Sequence, residues 1–228
     1  MSTIQPGYEI APDGTAYDVL RKADAPVVVL IHGLGLCRHM WRAHIADFVT
    51  DYQVVSYDLL GHGDSAAPTA PTDLSLYAKQ LCCLLDHLQI DKAALVGFSI
   101  GGMINRRFAL DYADRLWALA ILNSPHNRGD EAQALVELRA AAVRSEGTMA
   151  TMEAALERWF TDDYRSSNPD FMKTVRAWRR KVDAQSYAEA AWVLATGVKE
   201  LTRPTTPLKV PTIVITSEND SGSTPDMA

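Results

Sequence analysis

The chain has 228 residues, of which 47% are hydrophobic and 22% are charged. This composition excludes a disordered chain, and the length suits one large domain or a domain with an insertion. The chain has 22 lysines and arginines and 28 aspartates and glutamates, which gives a formal net charge of -6. Because there is no broad basic field, we expect neither nucleic acid nor an anionic membrane surface as a partner.

The N-terminal residues bear on where the protein is located. Residues 1–14 (MSTIQPGYEIAPDG) lack the basic start and the apolar stretch of a signal peptide. No apolar run approaches the roughly 18 residues that a membrane span needs. We therefore expect a soluble, cytoplasmic protein.

The three cysteines, Cys37, Cys82 and Cys83, do not predict a disulfide framework. Their number is odd, and the adjacent pair lies inside an apolar helical run. We interpret Cys82 and Cys83 as two small, buried hydrophobic side chains.

Short apolar runs predict the strands. The sequence Pro12-Asp13-Gly14 is a strong turn signal and predicts an early hairpin. The later runs are continuously apolar, which indicates central parallel strands that are covered on both faces. These runs span residues 27–31, 54–57, 93–96, 119–122 and 212–216.

Helical patterns lie between the predicted strands. Apolar spacing predicts helices over residues 39–49, 74–88 and 99–112, with Asp73 as the N-cap of the second. From about residue 129 to 200 the chain has only helical patterns. The alternation predicts an α/β fold with a doubly wound, mostly parallel sheet. In domain terms, we expect a core of residues 1–128 and 203–228 and an all-helical cap of residues 129–202.

The strongest local signal is a G-x-S-x-G sequence at residues 97–101, which follows a predicted strand and opens a predicted helix. Small residues two positions either side let the chain turn sharply, so Ser99 is the candidate nucleophile and the Ile100 N–H a candidate oxyanion donor. The sequence HGLG at residues 32–35 also follows a strand, and predicts the Leu34 N–H as the second donor. We interpret His32 as a turn-stabilising residue rather than a base.

A third signal, DLLGHGDS at residues 58–65, again follows a strand directly. With HGLG and GFSIGG in this order, the chain resembles the α/β-hydrolase fold family, in its serine-nucleophile branch. The cap, with ERWF at residues 157–160, looks most similar to 3-oxoadipate enol-lactonases and small carboxylesterases. The resemblance implies a structural role for His62. It also implies that Asp220, in the loop after residues 212–216, is the catalytic acid, with Glu218 as the alternative.

The resemblance implies a catalytic histidine roughly 25–30 residues beyond the acid. All six histidines precede Asp220, and the chain stops at Ala228. We therefore expect a C-terminally truncated fragment that lacks the last strand, the last helix and this histidine, and that leaves residues 212–216 as an exposed apolar edge. Of the histidines present, His126 is the best placed substitute at the pocket mouth.

A serine nucleophile suits an acyl carbon, so we expect a hydrolase that cleaves a small ester or lactone through an acyl-enzyme. No metal or organic cofactor is implied, because no residue cluster has ligand spacing. Trp159 and Phe160 are candidates for the acyl pocket, although they can instead pack cap helices together.

Other interpretations of the sequence remain open. The basic residues of the cap are interpreted as a solvated helix face, with attraction of a substrate carboxylate as the alternative; they are Arg176, Arg179, Arg180 and Lys181. Carbon–carbon bond hydrolysis and perhydrolysis are alternative reactions of the same machinery. A non-catalytic binding protein is the alternative that the missing histidine favours.

Overall fold

Seven strands form one mixed sheet in the computed structural model of the chain, which describes residues 8–204 and 207–228. The strands are β1 (Glu9–Ile10), β2 (Ala16–Leu20), β3 (Val27–Ile31), β4 (Gln53–Tyr57), β5 (Ala93–Phe98), β6 (Leu116–Leu122) and β7 (Thr212–Ile215). Their order across the sheet is β1-β2-β4-β3-β5-β6-β7. The hairpin β1–β2 and the pair β2–β4 are antiparallel, and all other pairs are parallel.

The centre of the sheet is continuously apolar because helices cover both of its faces. Val29 of β3 pairs with Val55 of β4 and with Leu95 of β5, and all three side chains are fully buried. Such a strand needs no polar face, which is why its sequence does not alternate. The predicted α/β class, the parallel strands and the early hairpin are confirmed.

The helices are α1 (Arg42–Phe48), α2 (Leu74–His87), α3 (Ile100–Asp111), α4 (Gly129–Glu146), α5 (Met152–Trp159), α6 (Asp162–Ser167), α7 (Pro169–Lys181), α8 (Ala184–Thr196) and α9 (Val198–Leu201). The helix predicted over residues 39–49 is a 3-10 turn, Arg38–Trp41, followed by α1. Asp73 caps α2 as predicted, because its side chain accepts a hydrogen bond from the Leu76 N–H at 2.7 Å. None of the helices within the described residues is long and apolar enough to cross a membrane.

Between residues 129 and 201 the secondary structure is exclusively helical, as the sequence indicates. Helices α4 and α8 pack together through small side chains, among them Ala140, Ala188 and Ala191. Small residues let two helices approach closely, and here they bring the first and the last long helix of the insertion into contact. The division into a core and a cap with the stated bounds stays a prediction.

The interpretation of the adjacent cysteines is wrong for one of them. Cys83 is exposed and Cys82 is half-buried, while Cys37 is buried; all three are free thiols. The buried stripe of α2 is occupied by Leu81, Leu84 and Leu85. Because successive helical residues are rotated by about 100°, positions 82 and 83 fall beside and outside that stripe.

Strand β7 is the exposed apolar edge that the sequence predicts. It pairs with β6 on one side, and its residues Ile213, Val214 and Ile215 are 54%, 51% and 50% exposed. Exposed apolar edge strands can pair with strands of other chains, so β7 is a candidate site of aggregation.

A buried arginine joins the loop after β4 to the start of the first helical segment. Arg38 is 2% exposed, and its guanidinium pairs with Asp58, with Asp64 at 3.0 Å and with Asp18 at 3.2 Å. Burial alone would lower the pKa of Arg38, but the three carboxylates raise it above its ordinary value. Lys181, at the end of α7, pairs with Asp64 at 2.6 Å and so connects the helical insertion to this cluster.

We expect Arg38→Met to lower the free energy of unfolding by about 3–5 kcal/mol, because removing one partner leaves buried carboxylates without compensation. Urea denaturation followed by circular dichroism measures this change. Arg42→Met, at an exposed position four residues later, is the matched control and should change stability by less than about 0.5 kcal/mol. Equal effects of the two substitutions would contradict the structural role of Arg38.

Candidate active site

Ser99 occupies the turn between β5 and α3 in a strained backbone conformation. Its φ of 57° and ψ of -116° lie outside the regions that side-chain-bearing residues favour. Its N–H donates to the carbonyl of Leu122 at 2.9 Å, and its carbonyl accepts from the Gly102 N–H at 3.0 Å. These bonds hold the turn between neighbouring strand ends, so the serine side chain is presented at the edge of the sheet.

The turn depends on two glycines that flank Ser99. A Cβ atom on Gly97 would lie 2.2 Å from the carbonyl oxygen of Gly101. A Cβ atom on Gly101 would lie 2.6 Å from the carbonyl oxygen of Ile31 in β3. Both contacts are with backbone, which cannot move aside as a flexible side chain can. The G-x-S-x-G spacing is therefore a steric requirement of this turn.

A cavity of about 440 Å³ opens at the carboxyl edge of the parallel strands, in front of Ser99. The strand ends contribute Leu34, Ser99, Asn123 and Asp220 to its wall, and the helical insertion contributes Arg139, Arg158, Trp159, Arg179 and Tyr187. The volume is within the range of small-molecule sites. The cavity is thus enclosed between the sheet edge and helices α4, α5, α7 and α8.

Two backbone N–H groups at this edge are free to bind a ligand oxygen. The N–H groups of Leu34 and Ile100 donate to no acceptor in the described part of the chain. Leu34 lines the cavity and Ile100 begins α3 directly after Ser99. Free donors at a helix N-terminus favour negative charge, which suits the oxyanion role predicted for this pair.

Asp220 lies in the cavity wall, and its carboxylate is held by three donors. The Asn123 side chain donates to Oδ2 at 2.6 Å, while the N–H groups of Gly222 and Ser223 donate to Oδ1 at 2.7 and 3.0 Å. Glu218, the alternative acid, is exposed and does not line the cavity. The geometry therefore favours Asp220 over Glu218.

Asn123 is a site residue that the sequence reasoning missed. It follows β6 directly and has a φ of 46°, a left-handed conformation that asparagine tolerates better than most residues. An asparagine directly after the apolar run 119–122 was the available signal.

Histidines are absent from the cavity wall, although all six lie within the described residues. His126 is exposed, and its backbone N–H donates a hydrogen bond to the carbonyl of Met227. The structure thus places His126 outside the wall around Ser99. His87, the last residue of α2, lies against Tyr17 of β2, and His44 lies against Trp41.

His32 and His62 are fully buried beneath the loops at the sheet edge. The Nε2 of His32 accepts from the Leu59 N–H at 3.0 Å, so its Nδ1 carries the proton and donates to the Gly33 carbonyl at 2.8 Å. Burial lowers the pKa of His32 to about 4 and the pKa of His62 to about 3. Both rings are neutral structural groups, in agreement with their interpretation from the sequence.

Trp159 lines the cavity, but its neighbour Phe160 does not. The Phe160 ring stacks on Tyr164 with a centroid distance of 5.5 Å and meets Phe171 edge to face at 6.0 Å. Phe160 ends α5 in extended backbone, so its side chain turns away from the face that carries Trp159. Of the two aromatic candidates, the structure brings only Trp159 to the cavity.

The interpretation of the basic residues of α7 as a solvated face is wrong for Arg179, which is 1% exposed. Arg179 shares the buried stripe of α7 with Met172 and Val175, at helical spacing. The sequence reasoning also missed Arg139 and Arg158, which line the cavity from α4 and α5. The position of Arg158 directly before Trp159 was the available signal.

Metal ligation has no candidate here: the described residues contain no group of three or more histidine, cysteine, aspartate or glutamate side chains that could hold an ion. The polar residues that line the cavity include Ser99, Asp220, Asn123 and several arginines. Residues of these types can act as a nucleophile, as an orienting acid and as a source of positive charge, a combination that suits attack on a carbonyl carbon.

Known proteins share this arrangement of sequence and fold. A model of the α/β hydrolase fold family matches residues 26–145. The chain is 30% identical over 208 residues to 3-oxoadipate enol-lactonase 2 of Acinetobacter baylyi, an alignment that covers 91% of this chain and 76% of that protein. The enol-lactonase from Burkholderia xenovorans LB400 superimposes with a TM-score of 0.83 and 29% identity, over 96% of this chain and 84% of that one. For a malate-bound thermophilic esterase from Thermogutta terrifontis the TM-score is 0.79 at 25% identity, over 97% and 82% of the two chains.

The buried neutral histidines predict a pH-dependent stability. In the unfolded chain both titrate near pH 6.5, so protons bind to the unfolded state first and the free energy of unfolding falls as the pH drops from 6.5 toward 4. By pH 5 the loss should be on the order of 2 kcal/mol for each histidine. Urea titrations at pH 7.5 and 5 measure it.

A matched pair of variants tests which histidines are responsible for this loss. His62→Gln should reduce the pH dependence, whereas His44→Gln, at an exposed position, should leave it unchanged. A free energy of unfolding that stays constant between pH 7.5 and 5 would show that the buried rings are not held neutral.

Proposed function

Since the chain belongs to the α/β-hydrolase fold family, we propose that it is a serine hydrolase that cleaves an ester or lactone through an acyl-enzyme. The observation that carries this proposal is the strained Ser99, which lines a cavity together with Asp220. Strain of this kind persists only where surrounding structure enforces it, and it gathers at functional sites.

The first half of the proposed reaction forms the acyl-enzyme. The Ser99 Oγ attacks the carbonyl carbon while its proton passes to a base, and the N–H groups of Leu34 and Ile100 bind the oxyanion that develops. The bond to the leaving oxygen then breaks, and the base returns the proton to the alcohol. In a lactone the leaving alcohol stays attached to the acyl group.

The second half releases the acid. Water gives a proton to the base and attacks the acyl carbon, after which the bond to the Ser99 Oγ breaks and the serine regains its proton. Asp220 supports both halves, because its carboxylate is fixed by Asn123 and by backbone donors and can orient a protonated imidazole. None of the six histidines lines the cavity, so none of them is assigned as the base.

A second candidate function is ligand binding without turnover. The observation that favours it is the same lack of a histidine in the cavity wall, since a serine hydroxyl without a base is a weak nucleophile. Carbon–carbon bond hydrolysis of a diketone and perhydrolysis use the same serine and oxyanion donors. Assays on p-nitrophenyl esters, enol-lactones and vinylogous diketones separate these reactions.

Chemical rescue tests the nucleophile and the base together. We expect the chain to hydrolyse p-nitrophenyl acetate slowly, and we expect added imidazole to accelerate this reaction by about 10²-fold, the scale of general-base catalysis. Imidazole is small enough to enter the cavity beside an acetyl ester. Release of p-nitrophenolate, measured by absorbance, gives both rates.

The control for this rescue is Ser99→Ala, which measures the reaction of imidazole with the ester alone. A rescue that survives in Ser99→Ala would show that Ser99 is not the nucleophile. Fast turnover without imidazole would show that one of the six histidines is the base, and its loss in His126→Ala would identify which. No Ser99-dependent rate with or without imidazole would favour the binding function.

Asp220 should contribute to the rescued rate because its carboxylate stabilises the imidazolium that forms as the serine loses its proton. We expect Asp220→Asn to lower the imidazole-dependent rate by about tenfold or more. Glu218→Gln, two residues earlier and outside the cavity, is the matched control and should leave the rate unchanged. Equal rates in the two variants would remove Asp220 from the site.

A further inference from the structure

The turn that carries the Leu34 N–H lies between the sheet edge and the helical insertion. The Leu36 N–H donates to the carbonyl of Gly33 at 3.1 Å, which closes a four-residue turn over residues 33–36. Gly35 has a φ of 72°, the left-handed value that a type II turn requires at its third position. A single hydrogen bond leaves the orientation of such a turn to the groups that pack against it.

Apolar side chains of the insertion pack against this turn. Leu34 packs against a buried cluster of α4 and α8 side chains that includes Ala188. Leu36 is 8% exposed and belongs to a second buried cluster, with Met152 of α5 and Met172 of α7. Side chains from four helices of the insertion thus share apolar clusters with the turn.

A close approach joins Gly35 to the ring of Tyr187 on α8. A Cβ atom on Gly35 would lie 3.0 Å from Cε2 of Tyr187 and 3.5 Å from Cδ of Arg179. Tyr187 is 3% exposed, and the Arg179 guanidinium lies 4.5 Å from its ring centre. The ring is therefore a fixed surface against which the turn rests.

The first turn of α8 is in turn fixed to the loop after β4. The Asp183 N–H donates to the carbonyl of Gly61 at 3.2 Å, and the Asp183 carboxylate accepts from the Ser186 N–H at 2.8 Å. A Cβ atom on Gly61 would lie 2.1 Å from the Cβ of Ser186, so no side chain fits between the loop and the helix. Tyr187 follows Ser186 directly, and the core thereby sets the position of its ring.

We propose that Tyr187 is a positioning residue for the reaction, because its ring holds the turn of residues 33–36 with the Leu34 N–H toward the cavity in front of Ser99. The inference rests on the proposed function, in which the N–H groups of Leu34 and Ile100 bind the oxyanion. Such donors are effective because they are in place before the charge develops. A turn that is free to reorient loses part of this stabilisation.

The imidazole-dependent hydrolysis of two esters tests this role. The developing charge is on oxygen in p-nitrophenyl acetate and on sulfur, a weaker hydrogen-bond acceptor, in O-(p-nitrophenyl) thionoacetate. We expect Tyr187→Leu to lower the Ser99-dependent kcat for the oxygen ester by about tenfold or more, with little change in KM, and to lower the rate for the sulfur ester much less. A general loss of structure lowers both rates alike, so the ratio of the two rates separates positioning from a structural role.

Three further variants show whether the contact with Gly35 is responsible. Tyr187→Phe keeps the ring and should keep the rate ratio of the unsubstituted chain. Gly35→Ala adds a methyl group beside the ring at a positive φ, so it should lower the ratio even if Tyr187→Leu fails to fold.

Trp192→Leu is the matched control. It removes an aromatic ring from the same helix, but Trp192 packs against Arg144 and does not line the cavity. Its rate ratio should equal that of the unsubstituted chain.

Nuclear magnetic relaxation of the backbone amides tests the contact without any reaction. In the unsubstituted chain and in Tyr187→Phe, we expect the Leu34 amide to have the order parameter of a rigid backbone, about 0.85. In Tyr187→Leu it should fall below about 0.6, the range of flexible backbone.

The inference is overturned if Tyr187→Leu and Gly35→Ala leave the rate ratio unchanged, or if the Leu34 amide is as rigid in Tyr187→Leu as in the unsubstituted chain. Its failure is distinguishable from that of the proposed function. Ser99-dependent hydrolysis with an unchanged ratio overturns only the positioning role. If neither ester reacts at Ser99, the proposed reaction is overturned, and the order parameter of Leu34 alone decides whether Tyr187 holds the turn.

Discussion

The turn at Ser99 exists because β3, β5 and α3 meet where no methyl group fits. A Cβ on Gly101 would contact the backbone of Ile31, and a Cβ on Gly97 would contact Gly101 itself. The close approach forces the residue between them into a left-handed conformation, and the hydrogen bond from the Ser99 N–H to Leu122 holds it there. Strain at one residue is thus maintained by the packing of three elements of the core.

The other residues of the candidate site lie at the same edge of the sheet as Ser99. In a parallel sheet every strand ends at the same edge, so the loops after β3, β5, β6 and β7 meet in front of Ser99. These loops supply Leu34, Asn123 and Asp220, which are far apart in the chain. The polar residues of the cavity wall at the sheet edge therefore come from loops that follow parallel strands.

Charged residues near this edge occur in two contrasting environments. Below the loops, the buried Arg38 is balanced by Asp58 and two further carboxylates, and Lys181 extends this network into α7. Inside the cavity, Arg158 and Arg179 have no such partners. A buried cation that is balanced by carboxylates is typical of a structural role.

Sequence patterns sufficed for the features that depend on neighbouring residues. The apolar runs indicated the parallel strands, and G-x-S-x-G indicated the turn, because the motif contains both glycines that the turn requires, although Gly101 is required by the backbone of Ile31 in β3. The early hairpin and the helical insertion followed from turn signals and periodicity in the same way. The choice of Asp220 as the candidate acid came from the resemblance to the family, which places its acid in a loop after a late strand.

The side-chain environments were decided by the tertiary structure alone. Whether Arg179 faces solvent or a cavity, whether Phe160 accompanies Trp159, and whether Asn123 reaches Asp220 all depend on how distant segments pack. Helical periodicity shows that α7 has a buried stripe, but not that the stripe faces an open cavity. By itself the sequence determined the fold class and the glycine-flanked turn at Ser99, because both can be recognised from patterns of neighbouring residues. The charge of the cavity was decided only by packing, because the charged residues that line the cavity come from helices that are adjacent only in the folded chain.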